Sequence, residues 1–98
     1  MNVGQIVRFK KEWANEGERA YLMVVKEIRL NPATMEKTRC LVQTFNSRAS
    51  AFWHCQECEI EMLEPTGYTE SDIMGKPIED IEKALGISFD SHGLPLTW

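Results

Sequence analysis

The residues with the clearest capacity for chemistry lie in one short stretch, residues 54–58, which reads His-Cys-Gln-Glu-Cys. Imidazole nitrogens and thiolates are ligands that Zn²⁺ takes in tetrahedral protein sites. A structural zinc site also needs a second pair of ligands, and strand alternation points Cys55 and Cys58 to opposite faces. We therefore favour packed or half-exposed thiols with no cofactor. The zinc alternative would use Cys40, Cys55, Cys58 and one histidine, either His54 or His92.

Catalysis by this stretch has little support in the residue pattern. His54 and Cys55 are adjacent, so on a strand their side chains face opposite ways, and neighbouring carboxylates disfavour a thiolate. The chain has no glycine-rich phosphate loop and no recognisable Ser, His and Asp setting. We expect binding and not catalysis. Four glutamates in and directly after this stretch are predicted to form a solvated strand face: Glu57, Glu59, Glu61 and Glu64.

The basic side chains are concentrated in the first half of the chain. The net charge is −4, yet residues 1–48 carry nine Lys or Arg against five Asp or Glu, and residues 49–98 carry two against ten. A basic surface with aromatic rings suits a polyanionic ligand such as nucleic acid. The candidate phosphate contacts are Arg8, Lys10, Lys11, Arg39 and Arg48, and the candidate stacking rings are Trp13, Phe45 and Trp53.

Short β-strands are predicted to position these residues. Residues 3–9, 21–30 and 38–45 combine β-branched and aromatic side chains, and Pro32 marks a turn. Residues 10–20 have no period and predict a long loop whose Trp13 folds back onto the sheet. The second strand is apolar on both faces, with Leu22, Val24, Ile28 and Leu30 on one and Tyr21, Met23 and Val25 on the other.

Residues 52–63 predict the last long strand, which Pro65-Thr66-Gly67 then breaks. Four or five short antiparallel strands within about 65 residues, with no helix between them, are typical of a small SH3-like barrel. Alternation along residues 52–63 predicts a core face of Phe52, His54, Gln56, Cys58, Ile60 and Met62, with Glu57, Glu59 and Glu61 in water.

Three stretches carry a resemblance to a known class: residues 3–10, the loop with Glu12-Trp13 and Glu16-Gly17-Glu18, and the strand from Tyr21 to Ile28. They resemble the starts of short uncharacterised bacterial and phage-borne proteins whose barrel is similar to KOW and Tudor-like members of the SH3-like class. The resemblance implies a small binding module and brings no established activity with it.

Residues 65–98 predict a helical extension with an anchored tail. Thr69 and Asp72 indicate a short helix start that Gly75 ends. Pro77 at a first helical position and Gly86 as C-cap predict a helix over residues 77–85, with Ile78, Ile81 and Leu85 on one face. The tail is apolar at Ile87, Phe89, Leu94, Leu96 and Trp98, so we expect it to pack over its own barrel or on a second copy in an isologous dimer.

The predicted organisation is one α+β, mostly-β domain, with an SH3-like barrel at residues 1–64 and a helical extension at 65–98 packed on it. No apolar run approaches the roughly 20 residues of a membrane span. The opening residues lack a basic-then-apolar signal pattern, so we expect a cytoplasmic protein with free thiols.

Two functions of different class fit this organisation. The acidic net charge favours a protein-interaction or assembly module, whose groove beside the long loop takes a peptide or a neighbouring subunit. The alternative is a nucleic-acid-binding barrel, and a small zinc-stabilised domain comes third. The structure distinguishes the first two by whether the five basic residues converge on one exposed face with an uncovered aromatic ring.

Overall fold

A five-stranded antiparallel sheet forms the centre of the protein in the computed structural model, which describes residues 1–14, 21–49 and 51–95. The strands are β1 (Gln5–Phe9), β2 (Met23–Arg29), β3 (Arg39–Asn46), β4 (Ala51–Glu59) and β5 (Leu63–Thr69). Two 3-10 turns, Lys11–Trp13 and Ile60–Met62, follow β1 and β4. The helices are α1 (Glu70–Ile73) and α2 (Ile78–Leu85).

The strand order is β4-β3-β2-β1-β5, so β5 returns to pair with β1 while β4 and β5 form the two edges. The prediction of a mostly-β antiparallel fold with a short helix near the carboxyl terminus is confirmed. The predicted barrel is corrected to an open sheet, because β4 and β5 do not pair along the described residues.

Both faces of the sheet are buried, which explains why β2 is apolar on both sides. The inner face buries Val7, Met23, Val25 and Val42 together with Cys40, Cys58 and Leu63. The outer face buries Ile6, Leu22, Val24 and Phe45 beneath Ile73, Ile81 and Ile87 of the extension. The inner cluster is covered in part by Ala14, Ile60 and Met62, which lie outside the strands and pack against it.

The extension is anchored on the outer face. Ile81 of α2 and Ile73 of α1 are almost fully buried there, and Gly86 ends α2 in the left-handed conformation at φ +67°. Thr69 N donates to Asp72 Oδ2 at 2.8 Å at the start of α1, as the sequence pattern indicates. Leu96 and Trp98 of the predicted tail lie outside the described residues, as does the 15–20 part of the predicted loop.

The predicted break at Pro65-Thr66-Gly67 is wrong, because these residues lie inside β5. Pro65 is opposite Val7 of β1, and β5 is an edge strand, where a missing N–H costs no ladder hydrogen bond. The single strand expected over 52–63 is instead β4, a 3-10 turn and the start of β5. The boundary placed after residue 64 therefore falls within a strand.

Two β-bulges change the predicted faces. The register shifts between Val25 and Glu27 in β2, so Ile28 packs on the inner cluster and not beside Val24. A second shift opposite β4 separates Phe52, which packs on the outer cluster, from Cys58, which packs on the inner one. Strict alternation fails at both places because one strand carries an extra residue.

Candidate functional site

Two of the three cysteines are buried packing residues. Cys40 and Cys58 are opposite each other on β3 and β4 and both belong to the inner cluster. Burial, with Cys58 alongside, raises the pKa of the Cys40 thiol to about 11. Burial also raises the pKa of Cys58. These thiols are therefore protonated near neutral pH and are poor metal ligands.

The structure does not bring the predicted zinc ligands together. Cys55 is exposed and its Sγ accepts a hydrogen bond from Gln43 Nε2 at 3.1 Å. His54 is exposed on β4, and His92 is exposed in the tail. Within residues 1–14, 21–49 and 51–95, no group of three or more His, Cys, Asp or Glu side chains is placed to hold a metal ion.

Two of the five predicted phosphate contacts, Arg8 and Arg39, are engaged in ion pairs. Arg8 Nε lies 2.6 Å from Glu64 Oε1 across β1 and β5. Arg39 Nε lies 2.9 Å from Glu57 Oε1 and 3.4 Å from Glu59 Oε1. Arg29 joins the same network through Glu57 at 2.8 Å and Glu27 at 3.3 Å, and these carboxylates raise its pKa.

The five basic residues do not converge. Arg39 begins β3 and Arg48 lies on the turn beyond its other end, whereas Lys10 and Lys11 follow β1. The predicted stacking role of Phe45 is wrong, since its ring is only 1% exposed in the outer cluster. Trp13 is 49% exposed.

The surface that stands out is the free edge of β4, meaning the side of residues 51–59 away from β3. Among the described residues no strand pairs with it. Five consecutive residues, Trp53 to Glu57, are exposed, and Trp53 itself is 45% exposed. The strand contains no proline or lysine, two residues that often protect an edge, and its charged side chains are Glu57 and Glu59 near one end.

A β-bulge lies in the middle of this edge. Trp53 is opposite Thr44 and Gln56 is opposite Val42, so both His54 and Cys55 face the single residue Gln43. His54 has φ +60°, a conformation that costs a non-glycine residue energy and that recurs at functional sites. The rings of Trp53 and His54 meet edge to face with centroids 5.8 Å apart. The bulge therefore presents both rings to solvent.

The tail holds the β3–β4 turn beside these rings. Asn46 Nδ2 donates to the His92 carbonyl at 2.9 Å, and Ser47 N donates to the Gly93 carbonyl at 2.9 Å. Shallow cavities of about 400 Å³ and about 320 Å³ lie around Trp53 and His54. The first is lined by Asn46, Arg48, Ala49, Trp53 and His92, and the second by Tyr21, Met23, Thr44, His54, Gln56 and Leu94.

A larger cavity of about 720 Å³ lies between β5, α1 and α2. Its apolar residues include Ile73 and Ile81, which already support the outer cluster. Lys76 and Lys83 line it together with Asp72 and Asp80, so its charges balance and select no ligand. We therefore take the edge of β4 as the candidate site.

Sequence reasoning placed Trp53, His54 and Cys55 on a strand but missed the bulge that exposes them. A bulge depends on register against the neighbouring strand, and no residue type in this stretch signals it.

In the described ranges no helix is long and apolar enough to cross a membrane. No protein-family model, curated protein or solved structure matches the chain.

Proposed function

We propose that the protein is a small SH3-like interaction module whose β4 edge takes up a β-strand from another polypeptide. The observation that carries this proposal is the free edge of β4, with five consecutive exposed residues and a half-exposed Trp53. An exposed edge offers unpaired N–H and C=O groups that an extended segment can satisfy. The function is binding, with no catalytic step.

Two features support the SH3-like part of the proposal. The strands follow one another in the sheet from β4 back to β1, and β5 closes onto β1. Ile60 and Met62 of the turn after β4 pack against the inner cluster, and Lys10 N donates to the Met62 carbonyl at 2.9 Å, which ties β1 to this turn. Sequential antiparallel strands around a shared core are the framework of a small barrel.

The charges favour a protein over nucleic acid as the ligand. Arg8 and Arg39 are paired with glutamates, so contact with a phosphate would have to compete with an existing carboxylate. The net charge of −4 adds a repulsive long-range field for a polyanion. Strand pairing, in contrast, draws its affinity from main-chain hydrogen bonds and needs no basic surface.

The test is a selection of random peptides displayed on phage against the protein immobilised at low density. We expect enriched peptides to bind the wild type and to lose at least about tenfold in affinity with Trp53→Ala, because an aromatic anchor is removed. Trp13→Ala is the matched control, since both indoles are about half exposed. Backbone amide shifts should concentrate on β4.

A second arm measures fluorescence anisotropy with labelled single-stranded DNA, duplex DNA and RNA at low and near-physiological salt. We expect no saturable binding at about ten micromolar protein. Saturable binding that weakens with salt would replace this proposal by the nucleic-acid alternative. Peptide binding that depends on Trp13 and not on Trp53, or no enriched peptide at all, would contradict uptake of a foreign strand at β4.

A further inference from the structure

We propose that the strand taken up by β4 is the β4 of a second copy, paired antiparallel about a two-fold axis close to Cys55. This inference rests on the proposed function, because it uses the same free edge. It adds the identity of the occupant and a register. With Cys55 at the axis, Trp53 of one copy lies opposite Glu57 of the other, and Ala51 lies opposite Glu59.

The first argument is the charge along the edge. The turn at the start of β4 carries Arg48 and has His92 and Asp90 of the tail beside it. The other end carries Glu57 and Glu59, followed by Glu61 on the 3-10 turn. The two arginines of the network there, Arg29 and Arg39, face three glutamates, so that end remains acidic.

Antiparallel pairing matches these ends. Antiparallel pairing brings Arg48 of each copy against the acidic end of the other, and a two-fold axis provides this contact twice. Parallel pairing would place the two acidic ends together, which is unfavourable at the short distances between neighbouring strands. The charges along the edge therefore favour the antiparallel direction.

The second argument is the contrast with the other edge. On β5, Pro65 lacks an N–H, whereas β4 contains no proline. An incoming strand would find an interrupted ladder there. Pairing of β4 with β5 of another copy would build an open-ended filament, and these features oppose it. Pairing of β4 with β4 closes after two copies.

The third argument is the position of the bulge. His54 and Cys55 interrupt the edge at its centre, which leaves residues 51–53 and 56–59 as two regular segments. In the proposed register the segment before the bulge in one copy pairs with the segment after the bulge in the other copy. The two bulges then meet at the axis, where no further strand pairing is required. The two exposed Cys55 thiols then face each other, and this provides a direct test.

The experiment is sedimentation equilibrium of the untagged, reduced, full-length protein from about 10 to about 500 µM, where mass action reveals weak association. We expect the mass to rise from 11.3 kDa toward twice that value. Cys55→Lys places two like charges at the axis and should hold the mass at 11.3 kDa. Ser71→Lys, which adds the same charge at an exposed position of α1, is the control and should still associate.

A charge exchange tests the direction of pairing. Arg48→Glu and Glu61→Arg should each weaken the association of the two copies, by up to about tenfold. The variant that combines both substitutions should restore this association. Circular dichroism confirms that each variant is folded. A bismaleimide of short span should link two wild-type chains and leave Cys55→Ser unlinked.

Two results would overturn the inference: a mass of 11.3 kDa throughout the concentration range, or a dimer that Cys55→Lys does not disturb. Its failure is distinguishable from that of the proposed function. A monomer that still binds selected peptides through Trp53 retains the strand-uptake function and loses only the second copy as occupant. A monomer that binds no peptide loses both.

Discussion

Asn46 and Gly93 together hold the turn before β4 against the tail. Asn46 Oδ1 accepts hydrogen bonds from Arg48 N at 3.0 Å and from Ala49 N at 3.3 Å. Gly93 packs directly on this group with φ +86°. A Cβ at residue 93 would overlap Asn46 Oδ1 and lie 2.8 Å from Arg48 N. The backbone angle and the close approach both require glycine here.

We predict that Gly93→Ala lowers the free energy of unfolding by about 2–4 kcal/mol, combining left-handed strain with a clash against backbone. Gly75→Ala is the matched control, because it has φ +80° but no atom within 4 Å of its Cβ position. It should cost only about 1–2 kcal/mol from the backbone. Urea denaturation measures both variants. Equal losses would show that the contact with Asn46 contributes nothing.

At the scale of elements, α2 shows how a short helix is stabilised by the sheet. Eight residues are too few for an isolated helix to persist in water. Its stability comes from Ile81, which is 2% exposed in the outer cluster, and from the partly buried Ile78 and Leu85. The sheet face and the helix therefore depend on each other.

We predict that Ile81→Ala lowers the free energy of unfolding by about 2–4 kcal/mol, the cost of a cavity in a core. Lys83→Ala, at an exposed position of the same helix, should change it by less than about 0.5 kcal/mol. Because the extension and the sheet share one cluster, far-UV and tryptophan signals should report a single transition. Two separate transitions would show that the extension unfolds independently of the sheet.

The elements that local patterns specify were predictable from sequence, and those that depend on register were not. Pro77 and Gly86 mark α2 to within a residue, and β1 to β3 follow runs of β-branched and aromatic residues. The faces of Ile28 and Phe52 were wrong because bulges insert a residue, which only the partner strand reveals. β5 was missed because Pro65 argues against a central strand in this part of the sequence. The position of β5 at the edge of the sheet, which tolerates a proline, is set by the tertiary structure.

The candidate site follows the same division. The sequence predicted that Trp53 and Cys55 lie on a strand. It did not predict that they are exposed, because their exposure depends on β4 being an edge strand with a bulge. Sequence reasoning also could not show that Arg8 and Arg39 pair with glutamates, because Glu64 and Glu57 are distant from them in sequence.

At the scale of the whole molecule, the carboxyl-terminal extension completes the fold. The sheet is apolar on both faces, and the extension packs on the outer one. Without α1, α2 and the tail, the outer face would expose Ile6, Leu22, Val24 and Phe45 as one apolar patch. With this face covered within one chain, the edge of β4 stays exposed along Trp53 to Glu57.

This arrangement predicts how the tail contributes to stability at different protein concentrations. Ile87 is buried on the outer face of its own chain, and the Phe89 ring lies 5.9 Å from that of Phe45. Ile87→Ala should therefore lower the free energy of unfolding by about 2–4 kcal/mol. The loss should be equal at about 2 and about 200 µM protein, because an intrachain contact does not respond to mass action. Urea denaturation at both concentrations, with Ser88→Ala as the exposed neighbouring control, measures it. A loss confined to the higher concentration would place the tail on a second copy and move the dimer interface away from β4.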